Sequence, residues 1–195
     1  AKAEREPLKT TEIIITHVGL LGESQPVEPF LKALNEIAVQ HPALKDKLVL
    51  RIIGGVSEII LDSINQHASW LKVQQLGYVK HAEAIYNMVN AHILLNSLPI
   101  TGKQEYMISG KLMEYIASGR PVLALGNTAS DAAEMLKAYT WCKVFEREDV
   151  PGIKTWLKEL LEQLQKGNTC GHETGQLVFS RQKTTVALAE LLRQV

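Results

Sequence analysis

A chain of 195 residues is long enough for one α/β domain with a full core, and its 21 basic and 21 acidic side chains cancel. That balance excludes bulk attraction to nucleic acid or to an anionic membrane surface. No apolar run approaches the roughly 20 residues needed to cross a bilayer, and the polar start AKAEREPLKTT lacks a secretory-signal pattern.

Residues 1–11 read as a linker or edge segment ahead of a single unit at 12–195. EIIITHVG (Glu12–Gly19) is a β-branched run ended by glycine and reads as a buried strand. The loop LLGESQP leads to a helix over about Val27–Gln40, with Phe30, Leu31, Leu34, Ile37 and Ala38 on one stripe. HPALKDK is a turn and LVLRIIGG (Leu48–Gly55) a second strand. A helix over about Glu58–Ala68 follows, with Ile59, Ile60 and Ile64 expected to point inward. WLKVQQLGYV gives the third strand, ending near Tyr78 and Val79. A short helix from His81 to Val89 turns Ala84, Ile85 and Met88 to one side, and AHILLNS (Ala91–Ser97) is the fourth strand. The loop SLPITGKQEYMI is the longest irregular stretch, and loops of this length in α/β domains are often functional.

Next comes the stretch that organises the rest, YMISGKLMEYIASGRPVLA (Tyr106–Ala124). Ser109 suits an N-cap, Leu112, Met113 and Ile116 are spaced for burial, and Gly119 falls where the helix stops. PVLAL then reads as a strand apolar on both faces, as in the middle of a parallel sheet. NTASDAAEMLKA is a helix capped by Thr128 or Ser130, and WCKVFE (Trp141–Glu146) is the sixth strand. Helices over about Val150–Gln165 and Ser180–Gln194 close the chain, separated by GNTCGHETG. Trp70, Trp141 and Trp156 lie in apolar runs and read as core or cover.

Six strands alternate with helices, and no connection is short enough for a hairpin. This predicts an α/β fold with a doubly wound, six-stranded parallel sheet and helices on both faces. The doubly wound order makes the first and fourth strands neighbours, with a crevice where their carboxyl ends diverge. The front of the Lys111 helix, with free N–H groups, the positive end of a dipole and a lysine, should open there as an anion site. Glu114, one turn further in, can accept from a sugar hydroxyl. The alternative for Lys111 and Glu114, three residues apart, is a surface ion pair. Gly19-Leu20-Leu21-Gly22 is either a turn that needs positive φ or a backbone approach to a diphosphate; it lacks the G-x-G-x-x-G pattern. His17 ends the first strand and is a packed, hydrogen-bonded residue or a base. His81 and His92 read as structural, and Arg120, between Gly119 and Pro121, as surface.

Cys142 and Cys170 make no disulfide framework, and Cys142 reads as a small buried hydrophobe. Cys170 and His172 lack a second ligand pair at metal-site spacing. No metal or cofactor is expected, and two unpatterned cysteines suit a reducing, cytoplasmic setting.

YMISGKLMEYIASGRPVLAL resembles the donor-binding signature of GT-B glycosyltransferases, group 1 or family 4-like: a lysine, a Glu-Tyr pair, then Ala-x-Gly-x-Pro-Val. The similarity extends to THVGLLG, LRIIGG, LGYVKHAEAIYNMVNAHILL and SRQKTTVALAELL, almost the whole chain. It implies a carboxy-terminal domain that binds a nucleotide diphosphate sugar, UDP-linked rather than GDP-linked. The acceptor would sit on an amino-terminal domain absent from this chain, through which any peripheral membrane contact would run. Glu114 would then hold the ribose hydroxyls. Ser109, Gly110 and Lys111 would face the diphosphate with Gly19, Leu20 and Gly22, and Tyr78 and Val79 would border the base. No catalytic residue is assigned, and little transfer is expected without the second domain.

Two positions depart from the pattern. Tyr106 stands where retaining members carry a glutamate, with Glu105 beside it; Leu20 stands where an arginine is usual, and no lysine follows. Phosphate charge would then fall on Lys111, with Lys103 as a second candidate. The other functions compatible with these residues are a sugar-nucleotide epimerase of the same fold and a non-catalytic α/β protein-binding module.

Overall fold

Six strands, four of them built from runs rich in Ile, Val and Leu, form in a computed structural model that describes residues 11–100, 108–168, 170–171 and, near the carboxyl end, 185–186, 189–190 and 192–193. In chain order they are β1 Ile13–Val18, β2 Leu48–Ile53, β3 Lys72–Gly77, β4 Ile93–Ser97, β5 Val122–Leu125 and β6 Cys142–Phe145. All pair in parallel in the order β3-β2-β1-β4-β5-β6, the doubly wound arrangement. The helices between them are α1 Glu28–Gln40, α2 Glu58–Ala68, α3 His81–Val89, α4 Gly110–Ser118, α5 Asp131–Leu136 and α6 Val150–Gln165. Pro42–Leu44, inside the expected turn HPALKDK, forms a single 3-10 turn. No helix among the described residues is long and apolar enough to cross a membrane.

The sheet divides the core in two. On one face Ile13, Ile15, Leu50 and Leu95 pack with Phe30, Leu34 and Ile37 of α1 and Leu157, Leu160 and Leu161 of α6. On the other, Leu94, Val122 and Ala124 meet Met88 of α3, Leu112, Tyr115 and Ile116 of α4 and Leu136 of α5. Burial on both faces is why β4 and β5 read as continuous apolar runs. Strand β3, the polar KVQQLG, is a largely exposed edge.

Local chemistry sets the helix ends. Ser109 Oγ accepts from Leu112 N–H at 3.2 Å at the start of α4, and Gly119 ends it at φ +70°. Of the two caps considered for α5, Ser130 takes the role by accepting from Ala133 N–H, while Thr128 donates twice to Glu146. The tryptophans behave as core and cover, Trp156 meeting Trp141 and Phe145 edge-on and Trp70 donating to Asn35.

Two expectations are corrected. Arg120 is buried, not at the surface: its Nε donates to Val89 O at 2.7 Å, an anchor for the turn between α4 and β5. Ile59 is 53 % exposed, because in α2 the inward stripe runs through Ile60, Ile64 and Ala68 and leaves the preceding residue on the outer side. The closing helix expected over Ser180–Gln194 lies largely outside the described residues, as do His172 and residues 1–10.

The central strands separate early. Pairing of β1 with β4 covers only Ile15 with Ile93 and Thr16 with Leu94. Beyond that point Val18 N–H has lost its strand partner, and the buried Tyr115 hydroxyl of α4 replaces it, accepting from Val18 N–H at 2.8 Å and donating to Leu95 O at 3.4 Å. Tyr115→Phe should therefore cost about 1–3 kcal/mol by stranding a polar backbone group, measured as a lower midpoint in urea unfolding with an unchanged m-value.

Candidate functional site

The site lies where β1 and β4 part. The N–H of Gly19 donates to Ile53 O and that of Leu21 to Gly55 O, which ties the loop after β1 to the end of β2. Gly19 has φ +107° and Gly54 φ +110°, and a Cβ on Gly54 would stand 2.6 Å from Gly19 O. Only two glycines allow the two strand ends to approach this closely. Gly22 N–H is committed to Gln25 Oε1 at 3.3 Å, and Gln25 in turn donates to Ser97 O, so Gly22 shapes the loop rather than facing the crevice. Leu20 N–H has no hydrogen bond among the described residues.

Helix α4 presents its amino end here. Gly110 is exposed with open space beside it, and the cap at Ser109 serves Leu112 N–H, leaving the N–H groups of Gly110 and Lys111 without an intrahelical partner. The Lys111 side chain crosses to β1: a Cβ on Gly19 would meet Lys111 Nζ at 2.9 Å. The ammonium also stands 3.5 Å from His17 Nε2. No carboxylate pairs with Lys111 among the described residues, and burial alone lowers its pKa. The surface ion pair with Glu114 is therefore not formed. Glu114 is exposed one turn along α4, and Ser109 is half-buried.

His17 is wholly buried: Nδ1 lies 3.0 Å from Leu95 O and Nε2 3.3 Å from Leu20 O. Of the two roles considered, the geometry fits a packed, hydrogen-bonded ring. Burial, then the Lys111 charge, lower its pKa to about 4. His92, also buried, accepts from Ile14 N–H through Nδ1. Cys142 is buried beside Arg120 O, and burial pushes its thiol up to about 12, which suits an inert hydrophobe.

The base-side candidates are placed differently. Tyr78 is 86 % exposed and Leu20 62 %, and both lean over Gly55, where a Cβ would meet Tyr78 Oη and Leu20 Cδ1 at 3.2 Å each. Val79 packs against the core below α3 and α4 instead. The structure thus gathers Gly19, Leu20, Ser109, Gly110 and Lys111 around one strand tip, with Tyr78 reaching it across Gly55. The residues that sequence reasoning left aside are Tyr115 and the pair Gly54-Gly55. Their signal was present as the residue after Glu114 and as two glycines at a strand end. Lys103, Glu105 and Tyr106 lie outside the described residues. A groove of about 310 Å³ between α1 and α2 carries Glu23, Glu28 and Asp62 and no residue of α4, so its acidic lining is unsuited to an anion.

No family model matches this sequence, and no curated protein matches it. Among solved structures the chain is similar to a UDP-forming α,α-trehalose-phosphate synthase from Burkholderia vietnamiensis, with a TM-score of 0.66 and 13 % identity over 95 % of this chain and 46 % of that one. A UDP-GlcNAc 2-epimerase from Neisseria meningitidis bound to UDP-GlcNAc matches with a TM-score of 0.59 and 16 % identity, over 95 % of this chain and 45 % of that one. The synthase from Burkholderia xenovorans in complex with glucose-6-phosphate gives 0.58 and 13 %, over 82 % and 41 %. The chain thus spans less than half the length of these neighbours. The likeness is one of fold: an all-parallel Rossmann-like unit of the GT-B kind.

The buried ring of His17 gives the site a pH signature. Its folded pKa of about 4 lies below the ordinary histidine value of 6.5, so between these values the unfolded chain binds more protons. Its stability contribution is complete above about pH 6.5, falls as the pH drops through this window, and is gone below about pH 4, a loss of roughly 3 kcal/mol. Urea unfolding between those limits should show this slope in the native chain, and His17→Gln should flatten it.

Proposed function

We propose that residues 12–195 are the donor-binding unit of a glycosyltransferase that moves a sugar from a nucleotide diphosphate sugar, UDP-linked rather than GDP-linked, to an acceptor held by a second, amino-terminal domain. The observation that carries this reading is the half-buried ammonium of Lys111, which has no carboxylate partner among the described residues and stands over Gly19 at the front of α4. A cation so placed, beside N–H groups of Leu20, Gly110 and Lys111 that have no partner among the described residues, is complementary to a diphosphate. Burial strengthens the attraction by lowering the local dielectric. Glu114, exposed one turn further along the same helix, would hold the ribose hydroxyls, and the exposed Tyr78 and Leu20 side chains would give the base an apolar ledge.

The proposed chemistry is positioning together with stabilisation of the departing diphosphate by Lys111 and the helix front. The neighbours that act on or are bound to UDP compounds support UDP over other nucleotides. A sugar-nucleotide epimerase would use the same donor contacts, and product analysis with and without acceptor separates the two. Beside the Leu20 and Tyr78 side chains the crevice holds an ammonium with no carboxylate partner among the described residues. That cation counts against a non-catalytic protein-binding module, whose crevice would be filled by apolar side chains alone.

Calorimetric titration with UDP, GDP and ADP is the direct test; absence of heat with all three at about millimolar concentration, roughly the 4 kcal/mol floor of measurable affinity, ends the proposal. Lys111→Ala should weaken UDP binding by roughly 10- to 150-fold, the value of about 1.5–3 kcal/mol for a lost charged hydrogen bond. Glu114→Ala should weaken UDP about 10-fold by the same kind of loss while leaving inorganic diphosphate unaffected.

A further inference from the structure

We propose that an anion bound at Lys111 draws a proton onto His17, so that the crevice grips a diphosphate more tightly as the pH falls. This rests on the reading of Lys111 as the diphosphate-binding group. The observation behind it is the setting of the His17 ring, which faces one carbonyl oxygen at each nitrogen, Leu95 O at 3.0 Å from Nδ1 and Leu20 O at 3.3 Å from Nε2, and one ammonium, Lys111 Nζ, at 3.5 Å from Nε2.

Two acceptors, one at each nitrogen, suit an imidazolium, which donates from both positions; a neutral imidazole donates from one. With the proton on Nδ1, the tautomer assigned from the shorter contact, Leu95 O is satisfied, and the Nε2 lone pair faces Leu20 O and the ammonium. What opposes the second proton is burial and the Lys111 charge. The other groups against the ring carry no charge: Ile52 across the sheet in β2, Leu95 in β4, Leu20 in the loop, and the Tyr115 phenol of α4, which shares Leu95 O with Nδ1 and which burial keeps protonated. Lys111, from α4, is the one charged group facing it among the described residues.

An anion seated on Lys111 offsets that charge. A proton from solvent then adds to Nε2 while Nδ1 keeps its own, and Nε2–H donates to Leu20 O. This anchors the residue whose own N–H is uncommitted at the mouth of the crevice. His17 acts here as a positioning residue: it reaches the ligand through Lys111 and Leu20.

UDP-glucose is the suitable probe, since its diphosphate is a diester and keeps the same charge across the range tested. The full chain is titrated by calorimetry at about pH 5 and about pH 7, each in two buffers of different ionisation enthalpy. Burial still opposes the proton when the anion is bound, so the ring recovers only part of the way to its ordinary pKa. A midpoint raised by about one to two units from about 4 makes binding about 2- to 10-fold tighter at the lower pH, with net proton uptake there. His17→Gln should remove both the pH dependence and the uptake. As a readout independent of any variant, the His17 Cε1–H resonance titrated with and without UDP-glucose should shift its midpoint upward by more than about one pH unit. Equal affinity at both pH values without proton uptake, an unmoved midpoint, or a pH dependence that survives His17→Gln overturns the linkage. Failure of UDP-glucose to bind at either pH overturns the reading of Lys111 itself.

Discussion

The arrangement depends on how two strands come apart. Parallel strands that diverge leave N–H and C=O groups that must find partners when buried. Here the orphans are Val18 N–H and Leu95 O, and two side chains replace the missing ladder. The Tyr115 hydroxyl enters from α4, and the His17 ring turns back from β1 itself. Because Tyr115 lies in α4, satisfying the split also fixes that helix over the strand tips. Lys111, four residues earlier and one turn toward the amino end, is thereby carried to Gly19. Structure and binding capacity have one origin: the helix that repairs the broken ladder aims its own unpaired N–H groups at the gap.

The electrostatics follow from the same geometry. An ammonium buried without a counterion is costly, and proteins usually pair such a charge or leave it in water. Lys111 is half-buried and has no carboxylate partner among the described residues: its neighbour is a neutral imidazole at 3.5 Å. The alternative of an ion pair with Glu114 would have quenched it. Leaving the carboxylate exposed keeps the two groups available for two different parts of one ligand. The loop after β1 carries Leu20 where an arginine would add a second cation, so positive charge in the described part of the crevice is concentrated on a single side chain.

Much of this was legible in the residues. The β-branched and aliphatic runs announced the strands, the 3.6-residue stripes the helices, and Ser109 and Gly119 the limits of α4. Alternation without hairpin-length connections led to the parallel order and so to the crevice. What stayed hidden depended on partners distant in sequence. Nothing local says that Arg120 is buried, because the carbonyl that holds it belongs to Val89 in another helix. The role of Tyr115 needed the point at which β1 and β4 stop pairing, which no periodicity encodes. For Gly22, the expectation that its backbone faced a ligand gave way to Gln25, a side chain able to reach the loop's own N–H.

One consequence concerns assembly of the fold. The contacts that define the crevice join His17 to Leu95 and Ile14 to His92, each 78 residues apart, and Val18 to Tyr115, 97 apart. Closing loops of that length carries a high entropic cost before any contact rewards it. The β1–β2 half, joined by a short crossover, can organise first. The cleft needs the later segments docked onto β1, so a growing chain has no such cleft until Tyr115 has been made and brought home.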